Sequence, residues 1–423
     1  MSTKATTDGS ITALTASRRR VLQTAAAGGA LAASSPFWFN IARAQEQPIR
    51  IGFPVPLSGP YSTEASEQVR CAEIAIDQFN EAGGLDGRMA ELLVRDDKLD
   101  PGEAATRTLE LIESDGVDFV CGSLSASVQL AVNQVTSARG VIYNSISQSD
   151  TINEASDWTR YTFHEAMNPH MTAGACARYV FPKYGTRVAF LTADYAFGHE
   201  LVRGFMRAGE EFGVEQVAEV RHPIGQADFS AFFPRIQAAR PDILICANFG
   251  RDQLNSVKQA HDFGLKQQMQ LVCPVLLYNQ RLAGGPDVFE GVVGAANYYW
   301  KLEDEIESAK RLNDAYRERH GGAVPSDYAA YGFAGIYGLL EGVRAAGTTD
   351  TDAVIEAMNE MTYDPYKGSQ YFRGCDHQAV QSVLVIESKP ASEMEGEYDV
   401  FRIVAVEEGD EARLRTCQEL GHA

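Results

Sequence analysis

From Pro48 onward, short runs of consecutive apolar residues alternate with segments whose apolar positions recur every three or four residues. Ile49-Arg50-Ile51-Gly52-Phe53-Pro54-Val55 predicts a strand, closed by the turn signal Ser58-Gly59-Pro60. Ala65, Val69, Ala72, Ile76 and Phe79 then line one face of a helix, and Gly83-Gly84 ends it. Residues 91–94 predict the next strand. Asp100-Pro101 opens the next helix, an N-cap followed by proline at the first helical position. Strands follow at 117–121 and 141–143. A second series begins at 187–192 as a strand and continues with a helix over 198–212, a strand over 216–222 and a helix over 229–239. It runs on as a strand over 242–247, a helix over 252–263 and a strand over 269–272. Such alternation predicts parallel sheets with helices on both faces, and two series predict two doubly wound α/β lobes. The tail after Cys375 reads as the one long loop-like stretch.

Ahead of this pattern, the first 44 residues read as an export signal outside the fold. Ser17-Arg18-Arg19-Arg20-Val21-Leu22 opens a charged region, and a weakly apolar run rich in Ala and Gly follows it. Ala42-Arg43-Ala44 offers small residues for a signal peptidase, leaving Gln45 as the first mature residue. The string resembles the twin-arginine signal, whose cargo crosses the membrane folded. A membrane anchor over 21–41 is the competing reading, but Gln23, Thr24, Ser34, Ser35, Pro36 and Asn40 make that stretch polar. The mature chain of about 380 residues suits two lobes. The formal charge of -20 falls to about -24 once the signal is removed, which repels nucleic acid and anionic membrane. Neither is expected as a partner.

Several chemistries lack their signatures. No Cys-x-x-Cys and no Cys/His cluster with zinc spacing occurs among the seven cysteines and eight histidines. Cys121, Cys246 and Cys273 lie in apolar, strand-like runs and read as core thiols, while Cys375 and Cys417 are candidates for a disulfide in an oxidising compartment. There is no Gly-x-Ser-x-Gly elbow and no P-loop. His164-Glu165 and His199-Glu200 each lack the second histidine of a metalloprotease helix, and Asp96-Asp97 reads as a solvated turn. No enzyme, metal site or cofactor is expected.

In open parallel sheets ligands bind beyond the carboxyl ends of the strands, at helix N-termini. Four loops qualify. Gly122-Ser123-Leu124-Ser125-Ala126-Ser127 combines a glycine that permits close approach, hydroxyl donors, and free helix N–H groups, a cradle for a carboxylate or phosphate. Serines that merely cap the helix would give the same string. Ser145-Ile146-Ser147-Gln148-Ser149-Asp150 should lie beside it. From the second series come Asp194-Tyr195-Ala196-Phe197-Gly198 and Asn248-Phe249-Gly250-Arg251-Asp252, each with an aromatic beside a glycine. These aromatics, with Tyr61, either wall a ligand's apolar body or pack a lobe edge.

The chain resembles periplasmic binding proteins of the branched-chain amino acid (leucine/isoleucine/valine-binding) type, the substrate-binding class of ABC transporters with the type I fold. The resemblance spans residues 48–420 and is carried by Ile51-Gly52 to Leu57-Ser58-Gly59, Asn80-Glu81-Ala82-Gly83-Gly84-Leu85-Asp86-Gly87 and Asp96-Asp97 with Asp100-Pro101. Further carriers are the Gly122 and Asp194 loops, Tyr298-Tyr299-Trp300, Tyr328 to Gly332 and Asp376-His377-Gln378. It implies an N-terminal lobe of residues 45–164 plus 297–375 and a C-terminal lobe of 165–296 plus 376–423, with hinge crossings near 162–166, 294–299 and 372–378. It implies a periplasmic, monomeric receptor that closes on a small carboxylate ligand and delivers it to the permease subunits of an ABC importer. A sensory receptor of the same fold is the rival reading. Ser125, Ala126, Ser127, Ser147 and Ser149 would then hold the carboxylate, and Tyr61, Phe197 and Phe249 would line the cleft.

Two positions depart from the family pattern. Ala126 stands where relatives often carry a hydroxyl. Amino-acid binders place an acid after the strand near Val272 to pair with the ligand's ammonium, yet Pro274 is followed here by Val275, Leu276 and Leu277. Unless Asp252 or Asp194 substitutes, an ammonium would lack its counter-charge, and this favours an amine-free aromatic or aliphatic acid.

Overall fold

The computed structural model describes residues 47–422. The export signal assigned to residues 1–44 lies outside them.

The first lobe is built on a five-stranded parallel sheet: β1 (Ile49–Val55), β2 (Ala90–Asp96), β3 (Phe119–Gly122), β4 (Ile142–Ser145) and β5 (Thr162–His164), in the order β2-β1-β3-β4-β5. Helices α1 (Ser62–Glu81), α2 (Pro101–Glu113) and α3 (Ala126–Arg139) connect its strands. Asp100 caps α2 as the sequence predicts, its carboxylate accepting the Glu103 amide at 2.8 Å.

After α4 (Pro169–Tyr184) the chain enters a second sheet with β6 (Arg187–Ala193), α5 (Ala196–Gly209), β7 (Glu215–His222), α6 (Phe233–Ala239), β8 (Ile243–Ala247), α7 (Gly250–Asp262) and β9 (Gln270–Val275). It continues through α8 (Tyr278–Gly284), α9 (Pro286–Phe289) and β10 (Val293–Ala296). It then leaves this sheet for α10 (Glu307–Arg319), α11 (Asp327–Ala346) and α12 (Thr351–Glu360), and α11 packs along α1. A Cβ on Gly332 of α11 would lie 1.9 Å from the Gln68 carbonyl oxygen of α1, so only glycine allows these helices to approach this closely. A small antiparallel sheet of β11 (Thr362–Tyr363), β12 (Gln370–Phe372) and β13 (Ala379–Val380) follows. The chain then rejoins the second sheet with β14 (Val383–Ser388) and β15 (Phe401–Glu407). Its order is β15-β14-β10-β9-β8-β6-β7.

Three readings of the sequence need correction. The second sheet is mixed, because β14 pairs antiparallel with both β10 and β15. The tail after Cys375 therefore holds three strands, β13, β14 and β15, with their connections, and Val383-Leu384-Val385-Ile386 was its apolar signal. Asp97 is fully buried instead of solvated: one carboxylate oxygen accepts the Leu99 amide, and burial pushes its carboxyl up to about 7. Cys375 and Cys417 are joined as a disulfide, and the other five cysteines are buried and free.

The segments passing between the two sheets lie side by side and are stitched by polar contacts. The His164 amide donates to His377 O, Gln378 Nε2 donates to Ala166 O at 2.8 Å, and Lys367 Nζ donates to Asn297 Oδ1 at 2.7 Å. His164 and Glu165 are both buried here, Glu165 accepting from Tyr363 and Gln370.

Candidate functional site

The carboxyl ends of β3 and β4 deliver the two hydroxyl-rich loops to the same edge of the first sheet, as the topology requires for neighbouring parallel strands. At the end of β3 the backbone turns abruptly, with Gly122 at φ +126° and Ser123 at φ +63°. Ser123 is fixed there: its amide donates to Pro54 O at 2.7 Å, and its hydroxyl bonds Tyr143 Oη at 2.7 Å. Tyr143 Oη also donates to Gly122 O at 3.1 Å. Two consecutive residues with positive φ are costly unless over-determined, and these contacts supply that determination. The turn aims α3 so that Ser125 occupies its N-cap and Ala126 its first position. Ser125 is buried yet makes no side-chain cap bond. The first intrahelical bond runs from the Gln129 amide to Ser125 O, so the amides of Ala126, Ser127 and Val128 have no partner within the helix. Ala126 is buried and Ser127 half-buried.

The loop after β4 is bonded differently. Gln129 Nε2 donates to Ser145 Oγ at 2.7 Å and to Ser147 O at 3.0 Å, and His164 Nε2 contacts the same carbonyl at 2.7 Å. The Ser147 hydroxyl is buried and unpaired. Ser149 Oγ donates to Glu200 of α5 at 3.2 Å. The same carboxylate accepts the amides of Asp150 and Thr151 and the Thr151 hydroxyl, the last at 2.7 Å. A carboxylate of the second lobe thus sits on this loop. Burial raises the pKa of Glu200, and burial together with the nearby Glu200 charge pushes Asp150 up to about 7.

The aromatic side chains meet between the lobes. Tyr61, the N-cap residue of α1, is fully buried; its hydroxyl donates to Tyr195 Oη at 3.2 Å and its ring packs edge-on against Phe249 at 4.9 Å. Phe249 in turn packs against Phe197 at 6.3 Å and Tyr328 of α11 at 4.8 Å. The Arg251 amide reaches across to Pro60 O. Tyr61, Phe197 and Phe249 therefore form one cluster, closed over the cleft face of the first lobe.

Sequence reasoning missed the polar groups beneath this cluster. Glu64 and Gln68 of α1 are fully buried, and Glu64 Oε1 accepts from Gln280 Nε2 of α8 at 2.6 Å. Asp327 opens α11 and accepts the Tyr278 amide at 3.3 Å; Gln148 Nε2 donates to Tyr328 Oη at 3.2 Å. The signal existed: Glu64, Gln68 and Cys71 share the helix stripe that buries Ala65 and Ala72. Asp252 is also buried, accepting the Gly225 amide at 2.9 Å, whereas Asp194 is exposed and pairs with His199 at 2.8 Å. Burial raises the Asp252 carboxyl to about 6.

Two α/β lobes wound on separate sheets and meeting over buried donors, acceptors and aromatics define a solute-binding protein. The chain belongs to the periplasmic binding protein family, which it matches over residues 48–393. It is similar to the Leu/Ile/Val-binding protein homolog 1 of Brucella abortus (strain 2308), with 24% identity covering 74% of this chain and 82% of the relative. A crystal structure of a periplasmic binding protein from Burkholderia mallei superposes with a TM-score of 0.82 at 28% identity, covering 88% of this chain and 98% of that one. The amino acid ABC transporter substrate-binding protein of Pseudomonas fluorescens Pf-5 shares the fold, with a TM-score of 0.80 at 24% identity, covering 89% of this chain and all of that one.

Proposed function

We propose that this protein is the periplasmic solute-binding component of an ABC importer and captures a small carboxylate-bearing ligand between its lobes. The observation that carries this reading is the N-terminus of α3. There a buried serine at the N-cap makes no cap bond, and three amides lack helical partners. Aligned amides at a helix start carry a partial positive charge and receive an anionic group without a basic side chain. Ser125, Ser127 and the Ala126 amide hold the carboxylate, Ser147 offers its unpaired hydroxyl from the adjacent loop, and Tyr61, Phe197 and Phe249 cover the apolar body. Ser149 acts through closure, since its hydroxyl meets Glu200 of the opposite lobe.

The function follows from closure itself. Contacts such as Tyr61–Tyr195 exist only when the lobes meet, so a ligand that adds contacts to both lobes shifts the equilibrium toward the closed form. Permease subunits would read that form. The chemistry is binding alone, and no bond of the ligand is made or broken. A thermal-shift screen of amino acids, aromatic acids and short fatty acids on the mature chain tests the reading. At least one acid should raise the melting temperature by several degrees, and Ser127→Ala should weaken that acid about 5- to 10-fold, the worth of one hydrogen bond to a charged group. If no acid stabilises the protein, the carboxylate reading fails.

A further inference from the structure

We propose that residues 415–422 form a thiol-responsive strap between the lobes, held in place by the Cys375–Cys417 disulfide and released when that disulfide is reduced. The strap lies apart from the N-terminus of α3 and needs no ligand to act.

After β15 the chain leaves the second sheet and comes to rest on the first lobe, along the connection between β4 and β5. The Ala155 amide donates to Leu420 O at 2.9 Å, Arg415 donates to Glu154 Oε1 at 2.7 Å, and His422 Nε2 donates to Asn153 O at 2.7 Å. Leu420 is buried. The Trp158 ring stands edge-on to His422 at 5.2 Å and to His377 at 5.1 Å. On its other side the stretch meets the second lobe, where Glu419 pairs with Arg207 of α5. The disulfide ties it to the segment between β12 and β13, and Arg373 of that segment donates to Arg415 O at 2.9 Å. Both lobes and a segment passing between the sheets thus converge on one short piece of chain.

Asn153 links this piece to the loop after β4. Its carbonyl takes His422, its Nδ2 donates to Asp376 O at 3.2 Å, next to Cys375, and its Oδ1 bonds His164 Nδ1 at 2.7 Å. His164 Nε2 in turn holds the Ser147 carbonyl. Asp150 and Thr151, whose amides reach Glu200 of the second lobe, stand just ahead of Asn153 in the chain. The strap therefore backs the loop that touches the opposite lobe. Each of its links is a single hydrogen bond or an ion pair open to solvent, weak alone. The covalent bond decides whether they act together.

Tether length gives the size of that effect. Leu420 is three residues from Cys417 but thirteen from Glu407, where β15 ends. The effective concentration of a tethered group falls roughly as the 3/2 power of its tether, so reduction dilutes Leu420 about ninefold at its seat. Both sulfurs are half-buried and within reach of a small dithiol, while the other five cysteines are buried. The reaction is thiol–disulfide exchange. A thiolate of the dithiol attacks one sulfur, forming a mixed disulfide and expelling the other as thiolate, and the second sulfur of the dithiol resolves it. Cys375 and Cys417 take up a pair of electrons and a proton each, and the dithiol leaves as its own disulfide. In an oxidising compartment the strap holds the loop where Glu200 meets it and supports the closed form. Where dithiols prevail, that support is withdrawn.

Hydrogen exchange at residue resolution on the ligand-free mature protein tests this. It is run on the oxidised protein, on protein reduced by dithiothreitol under native conditions, and on Cys417→Ser. In the last two the Ala155 amide should exchange about tenfold faster. The Asp150 and Thr151 amides should follow by roughly threefold or more, while amides in the middle of β1 and β8 keep their rates. Those unchanged rates also show that the variant folds; should it not, the reduced wild type reads the same amides. Unchanged exchange at Ala155 overturns the strap. Faster exchange at Ala155 with Asp150 and Thr151 unmoved overturns its link to the lobe contact. Acceleration shared equally by β1 and β8 would mean that the disulfide stabilises the whole fold, and overturns the strap as well. Since no acid enters the measurement, its failure leaves the carboxylate site standing, and failure of the acid screen leaves the strap standing.

Discussion

The loops that end β3 and β4 look alike in sequence, each three serines within six residues, but their donors have different fates. After β3, the chain spends its internal hydrogen bonds on bending the backbone: Ser123 and Tyr143 lock the turn, and Ser125 and the amides opening α3 are left free. After β4, the internal bonds consume most of the donors, and only the Ser147 hydroxyl among the three serines stays unpaired. Glu200 takes four of them, while Gln129 and His164 share the Ser147 carbonyl. One loop thus keeps free donors, which the proposed function assigns to a carboxylate from outside, and the other already holds a carboxylate of its own. The difference lies in who supplies the anion. Under the proposed function a ligand would supply it reversibly at α3, whereas Glu200 of α5 supplies it at Ser149.

The sharpest way to break the comparison is at Gly122. A Cβ there would lie 2.8 Å from Pro54 O, the same carbonyl that accepts the Ser123 amide, at a φ of +126° that only glycine adopts readily. Gly122→Ala should cost about 3 kcal/mol by adding backbone strain to a displaced hydrogen bond, and ligand binding should fall with it. Chemical denaturation of the free protein and titration of the best-binding acid read the two effects. A variant with unchanged stability would show that the receptor loop is not fixed by this turn.

Next in size is Glu200. Glu200→Ala leaves Ser149, Thr151 and two amides without their acceptor in a buried position, a loss of about 2 kcal/mol. Denaturant midpoints would show it. The closed form should be lost before the fold, so small-angle scattering of the liganded protein should report a larger radius of gyration in the variant. If scattering is unchanged, Glu200 stabilises a loop without fastening the lobes.

Most of the scaffold was legible because burial imposes apolar runs and periods, and β1 to β4 and β6 to β9 carry them, whereas β5, only three residues long, and α4 were not read from the sequence. The asymmetry between the two serine loops was not, because a hydroxyl's partner is chosen in three dimensions. Nothing near Ser149 in the chain announces that Glu200, on a helix of the other lobe, will face it. Glu64 escaped for a related reason: a lone acid beside Thr63 and Ala65 reads as a solvated helix position until Gln280 and Asp327 close around it. The β14–β15 pair was missed on sequence grounds, since a short apolar run after many turn residues was taken for part of a loop.

The finest discrimination between the loops comes from pH. The receptor loop has no titrating group of its own, whereas the fastened loop contains the Asp150–Glu200 pair, both with raised pKa values in the folded chain. A carboxyl whose folded pKa exceeds its unfolded value keeps a proton in the native state that the unfolded chain releases. Its contribution is fully present below the unfolded pKa near 4 and is lost as pH rises through the folded value of about 7. Stability from this pair should therefore increase as pH falls from 8 to 6. Arg203 and Arg415 face the pair and temper its charge, and the half-buried His170 beside it, lowered by desolvation to about 4, opposes the trend only below its unfolded pKa of about 6.5. In Glu200→Gln the repulsion that raises Asp150 is gone, so Asp150 titrates lower and about 1 kcal/mol of the gain between pH 8 and 6 should vanish. Subtracting the unfolding free energies of variant and wild type across that range cancels the other buried carboxyls, Glu64 and Asp327 among them. A flat difference would mean that Glu200 carries no charge when it meets Ser149. The fastened loop would then hold a neutral acid, and the contrast between an internal anion and an external one would reduce to a contrast between two hydrogen-bond acceptors.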